Sequence, residues 1–337
     1  MPYINLDEID KILDDTEFSG SVHIIKNSEE LYFRNMGWAD IEEEYPFTDK
    51  STIELASLSK QFTAIAIMTL VERGKLQLDN TINKFIPEYE YSKYVTIRHL
   101  LNHTSGIIDY SGEILVPKAI EQHEKAIGRK LRSSYEINEI VNPLCRAYNL
   151  NECLDLVNGR PLHFPPGETT AYSNTNYHFL SDIIERISDM SFNEYLMSSI
   201  FKVLGMNDSH TDGFKADAKG YIKDGFGNTL NCDRHGMLSG DSGVVSNMKD
   251  IKCWCSVILN RSLLSQESWR QCLYIVNERF GFGFEKFNHF IGHNGGMPGI
   301  SNRERLHFPS KTAIIILSNY VNTNKNTINE ILQKIIK

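Results

Sequence analysis

The chain has 337 residues, 41% hydrophobic and 23% charged, with 35 Lys and Arg against 43 Asp and Glu for a net charge of −8. That is the composition of a folded globular protein, and it argues against a chain built to coat nucleic acid or an anionic membrane. The length suits one large domain or two that share a cleft.

Nothing approaches the ~20 consecutive apolar residues of a membrane span. The N-terminal stretch lacks the basic, apolar and small-residue sections of a secretory leader, so a cytoplasmic location is expected, or an exported one if a leader has been removed. The cysteines (Cys145, Cys153, Cys232, Cys253, Cys255 and Cys272) include no C-x-x-C pair. Cys253 and Cys255 would point to different faces of a helix, so buried free thiols are expected rather than a metal site.

In chain order, residues 5–14 read as a short helix through Ile9 and Leu13. Gly20 to Ile25 and Leu31 to Gly37, parted by Asn27-Ser28, read as an antiparallel hairpin. A long amphipathic helix is expected from Ser57, with Phe62, Ile65, Ile67, Met68 and Val71 on its apolar side and Gly74 as its stop. Helical patterns follow at 96–106 and at 175–205, the latter marked by Tyr177, Leu180, Ile183, Ile184 and Ile187. Residues 107–160 read as helices with long loops. Strand signals return at Phe287 to His293, Asn302 to Phe308 and Thr312 to Ser318, with a turn at Pro309-Ser310-Lys311. A terminal helix over 325–337 shows Ile328, Ile331, Leu332 and Ile335 on one side.

Strands at both ends and helices in the middle predict an α/β plus all-α fold. An antiparallel β-sheet flanked by helices is built from both termini (1–62 and 233–337), a mainly helical domain (63–232) is inserted, and the active site lies in the cleft between them. No repeat or low-complexity tract occurs.

Three short motifs carry chemistry. In Ser57-Leu-Ser-Lys60 the serine and lysine are three apart and meet on one face of a helix. A serine hydroxyl needs a base, and a desolvated lysine amine one turn away can serve, with helix N–H groups near a developing oxyanion. Read alone, the pattern is also that of an N-cap serine with a solvated lysine. Tyr172-Ser-Asn174 follows the turn at Phe164-Pro-Pro-Gly167, which suits a phenol on a rigid loop tip beside an amide that can bind substrate. His293-Asn-Gly-Gly296 sits on an expected strand whose glycines permit close approach of another backbone. The pair His99 and His103 lacks the glutamate of H-E-x-x-H and is given a structural role, and Asp241-Ser242 a loop role; no G-x-S-x-G elbow occurs.

Together the three motifs resemble the signature of serine β-lactamases and penicillin-binding proteins. The Tyr-x-Asn form is similar to the class C β-lactamase and D-Ala-D-Ala carboxypeptidase branch. Thr96-Ile-Arg-His-Leu-Leu-Asn-His-Thr-Ser-Gly106, Leu204-Gly-Met206, Gly240-Asp-Ser-Gly-Val-Val-Ser246 and Gly292-His-Asn-Gly-Gly-Met-Pro-Gly299 extend the likeness over about residues 20–320. The resemblance implies that Ser57 is acylated, Lys60 is its proton partner and Tyr172 is a second base or relay. It further implies that Asn174, Gly295 and Gly296 contact substrate, with the N–H groups of Ser57 and Gly296 forming an oxyanion hole. His293 stands where many β-lactamases have lysine, which weakens the hold on a substrate carboxylate.

The expected activity is hydrolysis of an amide or ester, of a β-lactam or a D-amino-acid peptide, with no cofactor and no metal. The expected partner is a small-molecule or peptide substrate, not nucleic acid or a membrane, and the sequence leaves the oligomeric state open. A small-ester esterase, a non-catalytic penicillin-binding or assembly protein and a metallohydrolase are the competing readings.

Overall fold

The computed structural model describes residues 9–213, 215–223, 227, 229–234, 239–322 and 327–335. Strands β1 (Gly20–Lys26) and β2 (Glu29–Met36) form the expected hairpin. Asn27 and Ser28 turn it with φ of 51° and 68°, the paired positive values that match the twist of tight hairpins. From the other end come β3 (Glu285–Phe287), β4 (Phe290–Met297), β5 (Ile300–His307) and β6 (Thr312–Ser318). They complete a six-stranded sheet of order β2-β1-β6-β5-β4-β3, antiparallel throughout.

The join between the two termini is β1 on β6, in register from Gly20 opposite Ser318 to Lys26 opposite Thr312. Every residue of β6 is buried, as a strand covered on both faces must be. Ile314 and Ile316 face helix α1 (Ile9–Asp15) and the terminal helix α5 (Thr327–Ile335) through Ile9, Leu13, Ile328 and Ile331. Ala313, Ile315 and Leu317 face the opposite layer and join the large core there, which also holds α2 (Ser59–Glu72), α3 (Asn174–Ser188) and α4 (Met248–Asn260). The two-residue period of a strand thus sorts one isoleucine-rich run between two cores.

Several expected elements differ in the structure. The long helix begins at Ser59, and Ser57 lies in the 3-10 turn Ala56–Leu58 before it. Helix α2 is not amphipathic, because every side chain from Ser59 to Leu70 is buried. Its polar residues are satisfied from other elements: Trp254 Nε1 donates to Gln61 Oε1 at 2.8 Å, and Thr63 Oγ1 donates to the Gly240 carbonyl at 2.6 Å. The domain boundary expected after residue 62 falls inside this helix, which serves sheet and helical layers alike. Gly74 ends it at φ +67°.

The single strand expected over 287–293 is a hairpin, β3 and β4 turning at Asn288 with φ 53°. The 96–106 helix is only Ile97–Leu101, capped by Thr96 and followed by His103 at φ 59°. The 175–205 pattern breaks at Asp189 into α3 and a second run from Phe192 to Leu204 with a π turn inside it. Segment 107–160 holds the π turn Tyr110–Leu115 and helices Val116–Ile127, Ser134–Val141 and Leu150–Val157. Residues 5–8, 325–326 and 336–337 of the expected terminal helices lie outside the described residues. Among the described residues no helix is long and apolar enough to cross a membrane.

Candidate active site

Ser57 is presented by a strained turn. Ala56, just before it, has φ +51°, a left-handed value costly for a residue with a Cβ. The turn is held from both sides. The Leu55 N–H donates to the Val244 carbonyl at 2.8 Å, and β4 lies directly against it. A Cβ on Gly295 would stand 2.1 Å from the Leu55 carbonyl oxygen, so only glycine lets the strand approach so closely. Gly295 therefore packs on the Ser57 turn, whereas Gly296 is exposed and lines a cavity of about 140 Å³ beside Ser57.

Lys60 reaches back one turn to Ser57, its Nζ donating to Oγ at 3.2 Å. Its other two protons go to Asn174 Oδ1 at 2.8 Å and the Asp241 carbonyl at 2.7 Å. Tyr172 OH donates to Ser57 Oγ at 2.8 Å. The Tyr172 ring is braced by His103, with centroids 4.6 Å apart, and His103 Nδ1 accepts the Ser173 N–H at 3.2 Å. His293 is buried on β4, its ring centroid 6.2 Å from that of Tyr172. Groups from a helix and a loop, the farther 115 positions away in the chain, thus meet at the Ser57 hydroxyl, and His293 lies beside the Tyr172 ring.

Asn174 sits at the start of α3 and lines the cavity, with its amide already engaged. Oδ1 accepts from Lys60 while Nδ2 donates to Asp109 Oδ2 at 3.1 Å. Val116, Val141, Leu144 and Met297 give the wall an apolar side. At its edge the Arg234 guanidinium, 2.8 Å from Glu54, donates to the Pro298 carbonyl at 3.0 Å and fixes the end of the third motif.

Burial sets the proton affinities. It pulls the Lys60 amine down to about 8, against the upward pull of Asp241, Asp109 and Glu285. Burial pushes the Tyr172 phenol well above 10 and outweighs its hydrogen bond to Ser57. His293 is pulled down to about 3 by burial and then by the Lys60 charge, so its imidazole is neutral at pH 7. The amine is the base the site makes available near neutrality, while the phenol keeps its proton and can pass it on.

The Beta-lactamase family profile matches residues 9–332. The chain belongs to the Beta-lactamase family. It is 30% identical to Penicillin-binding protein 4* of Bacillus subtilis over 331 residues, 90% of this chain and 68% of that protein. It is 25% identical to Protein flp of Staphylococcus aureus over 93% of this chain and 62% of that protein, so the chain spans under two thirds of that relative. The penicillin-binding protein of Bacillus halodurans superposes with TM-score 0.77 at 25% identity over 96% of this chain and 99% of that one. The D-amino acid amidase of Ochrobactrum anthropi, complexed with L-phenylalanine amide, gives 0.78 at 20% identity over 98% and 96% and shares the fold. The antiparallel sheet with its inserted helices is the β-lactamase and transpeptidase-like fold.

Three carboxylates outside the three short motifs also belong to this site. Asp109 Oδ1 accepts the Asn174 N–H at 3.3 Å. Asp241, expected only to shape a loop, offers its carbonyl to Lys60 and lines the cavity with Ser242. Glu285 stands 3.8 Å from His293 Nε2. The Gly240-Asp-Ser-Gly243 string was a signal for Asp241; a carbonyl ligand has no side-chain signature. His99, expected to be structural, has Nδ1 accepting the Thr96 N–H at 3.3 Å in a capping box. Among the described residues no group of three His, Cys, Asp or Glu is placed to hold a metal ion.

Proposed function

We propose that this protein is a serine hydrolase that cleaves an amide or ester through an acyl-enzyme on Ser57. The observation that carries the reading is one hydroxyl touched at 3.2 Å by a buried lysine amine and at 2.8 Å by a tyrosine hydroxyl, at the wall of a cavity. The neutral amine of Lys60 takes the Ser57 proton as Oγ attacks the substrate carbonyl carbon. The Ser57 and Gly296 N–H groups receive the oxyanion. The phenol of Tyr172 protonates the departing nitrogen or oxygen and is reprotonated from Lys60. Water then attacks the acyl group with the same two residues acting in reverse.

The names of the relatives, penicillin-binding proteins and a D-amino acid amidase, support amide bonds as the target. The test is intact-mass analysis after mixing with p-nitrophenyl acetate, a D-amino-acid amide and a penicillin. A mass increase equal to the acyl group is expected in the wild type and none in Ser57→Ala. An adduct that persists in Ser57→Ala sinks the assignment, and a wild type that no donor acylates or turns over sinks the hydrolase reading.

A further inference from the structure

The third motif of this chain offers substrate acceptors where a lysine would offer donors. His293 Nδ1 lies 2.6 Å from the Asn294 carbonyl oxygen, which can only accept, so Nδ1 carries the ring proton and donates it there. A neutral ring with Nδ1 protonated shows a bare lone pair at Nε2. Glu285 Oε1 lies 3.8 Å from that nitrogen. The carboxylate is brought there by the β3–β4 hairpin, in which Glu285 pairs with Gly292. Two acceptors at this separation leave room for one donor atom about 2.8 Å from each. A primary amine or ammonium, with at least two N–H bonds on one nitrogen, satisfies both at once.

The surrounding charge agrees. Asp241, Asp109 and Glu285 all act on Lys60 and on Tyr172. The cations that act on Glu285 are Arg279, Lys60 and Arg305, and all three are engaged, Lys60 by Ser57, Asn174 and the Asp241 carbonyl. The Arg305 guanidinium donates to Asn294 Oδ1 at 2.8 Å and to the Glu304 carbonyl at 2.7 Å, and Arg279 lies over the Phe280 ring at 4.6 Å. Glu54 and Arg234 at the cavity edge pair with each other. The charges around the reacting lysine are therefore mainly negative.

We propose that His293 Nε2 and Glu285 Oε1 together receive a free primary amino group of the substrate, so that the site selects amine-bearing acyl donors over matched donors that are N-acylated or carry a carboxylate. This rests on the acyl-Ser57 reading and names the substrate class of that site.

The test uses three matched substrates of each hand: alanine p-nitroanilide, its N-acetyl form and its N-succinyl form. The wild type is expected to favour the free amine by about tenfold or more in kcat/KM, with the succinyl form worst, since one satisfied charged donor pair is worth roughly that much. Glu285→Gln is expected to bring the free-amine to N-acetyl ratio towards one, chiefly through a higher KM for the amine, and Glu285→Ala is expected to do the same. A wild type that prefers the acetyl or succinyl substrate overturns the inference without recourse to any variant. So does a ratio unmoved in a folded Glu285→Gln. Acylation of Ser57 by p-nitrophenyl acetate, read by mass, scores the hydrolase reading separately. If that adduct forms and the ratio fails, only the amine assignment falls.

Discussion

Gly295→Ala tests whether the strand holds the nucleophile turn. The added methyl would sit 2.1 Å from the Leu55 carbonyl oxygen and 2.8 Å from Leu58 Cδ1. Leucine can swing its δ-carbon aside, but the Leu55 carbonyl is backbone. It already accepts the Leu58 N–H at 3.3 Å, and the Leu55 N–H is fixed to Val244. Restoring an ordinary contact requires strand and turn to part by about 1 Å, which costs roughly 1–3 kcal/mol as overpacking does elsewhere. The same displacement stretches the 3.2 Å and 2.8 Å contacts at Ser57 Oγ. A misplacement of about 1 Å costs on the order of 10²-fold in rate. The assays are thermal unfolding and the acylation rate with p-nitrophenyl acetate. Gly296→Ala is the control for stability: its methyl would meet no heavy atom within 4 Å, so unfolding should shift by no more than ~0.5 kcal/mol. A Gly295→Ala protein with wild-type melting and wild-type acylation would refute the claim that β4 sets the position of Ser57.

Acylation should rise with pH through a midpoint near 8 and level off above it, because the reactive form is the neutral amine of Lys60, whose buried site holds it to about 8; only about a tenth is neutral at pH 7. Lys60→Arg should lose at least ~10²-fold and the pH limb with it, since guanidinium does not deprotonate, and a limb that survives would place the base elsewhere. Tyr172→Phe should slow hydrolysis of an alkyl amide far more than that of a p-nitrophenyl ester, whose leaving group departs without a proton; equal losses on both would remove the phenol as proton donor. Burial pushes the Glu304 carboxyl up from 4.5 to about 7, so the folded state holds a proton that the unfolded state releases. Its stabilising effect is complete below about pH 4.5 and is lost as pH rises through 7, by about 3 kcal/mol. Glu304→Gln should flatten that slope in urea melts at pH 5, 6 and 7, and an unchanged slope would show that Glu304 does not titrate there.

The meeting of Ser57 with Lys60 and Tyr172 is legible because each motif is local. Ser57 and Lys60 are three residues apart around one turn, and Tyr172 follows a Pro-Pro-Gly bend. What the pattern misreads has physical causes. Alanine is the strongest helix former, so nothing around Ala56 announces a left-handed residue, and the helix is expected two residues before it starts. Gln61, Thr63 and Thr69 look like the wet side of a helix. They are dry because Glu304, Gly240 and Tyr195 supply partners from 126 or more positions away. The β3–β4 hairpin reads as one strand because β3 is only three residues long and its turn contains neither glycine nor proline.

The same distinction separates the group that reacts from the pH at which it reacts. The S-x-x-K spacing names the amine, but an amine in water would hold its proton until about 10.4. Full burial drives that value down, and Asp241, Asp109 and Glu285 drive it back up. The balance of about 8 depends on carboxylates delivered by a loop, a turn and a strand edge, none within 40 residues of Lys60 in the chain. Removing one of them lowers the lysine further and shifts activity to lower pH. Adding a positive charge beside it does the same, which is a physical reason for a neutral histidine at position 293: a second ammonium buried with the first would compete with it for the same three carboxylates.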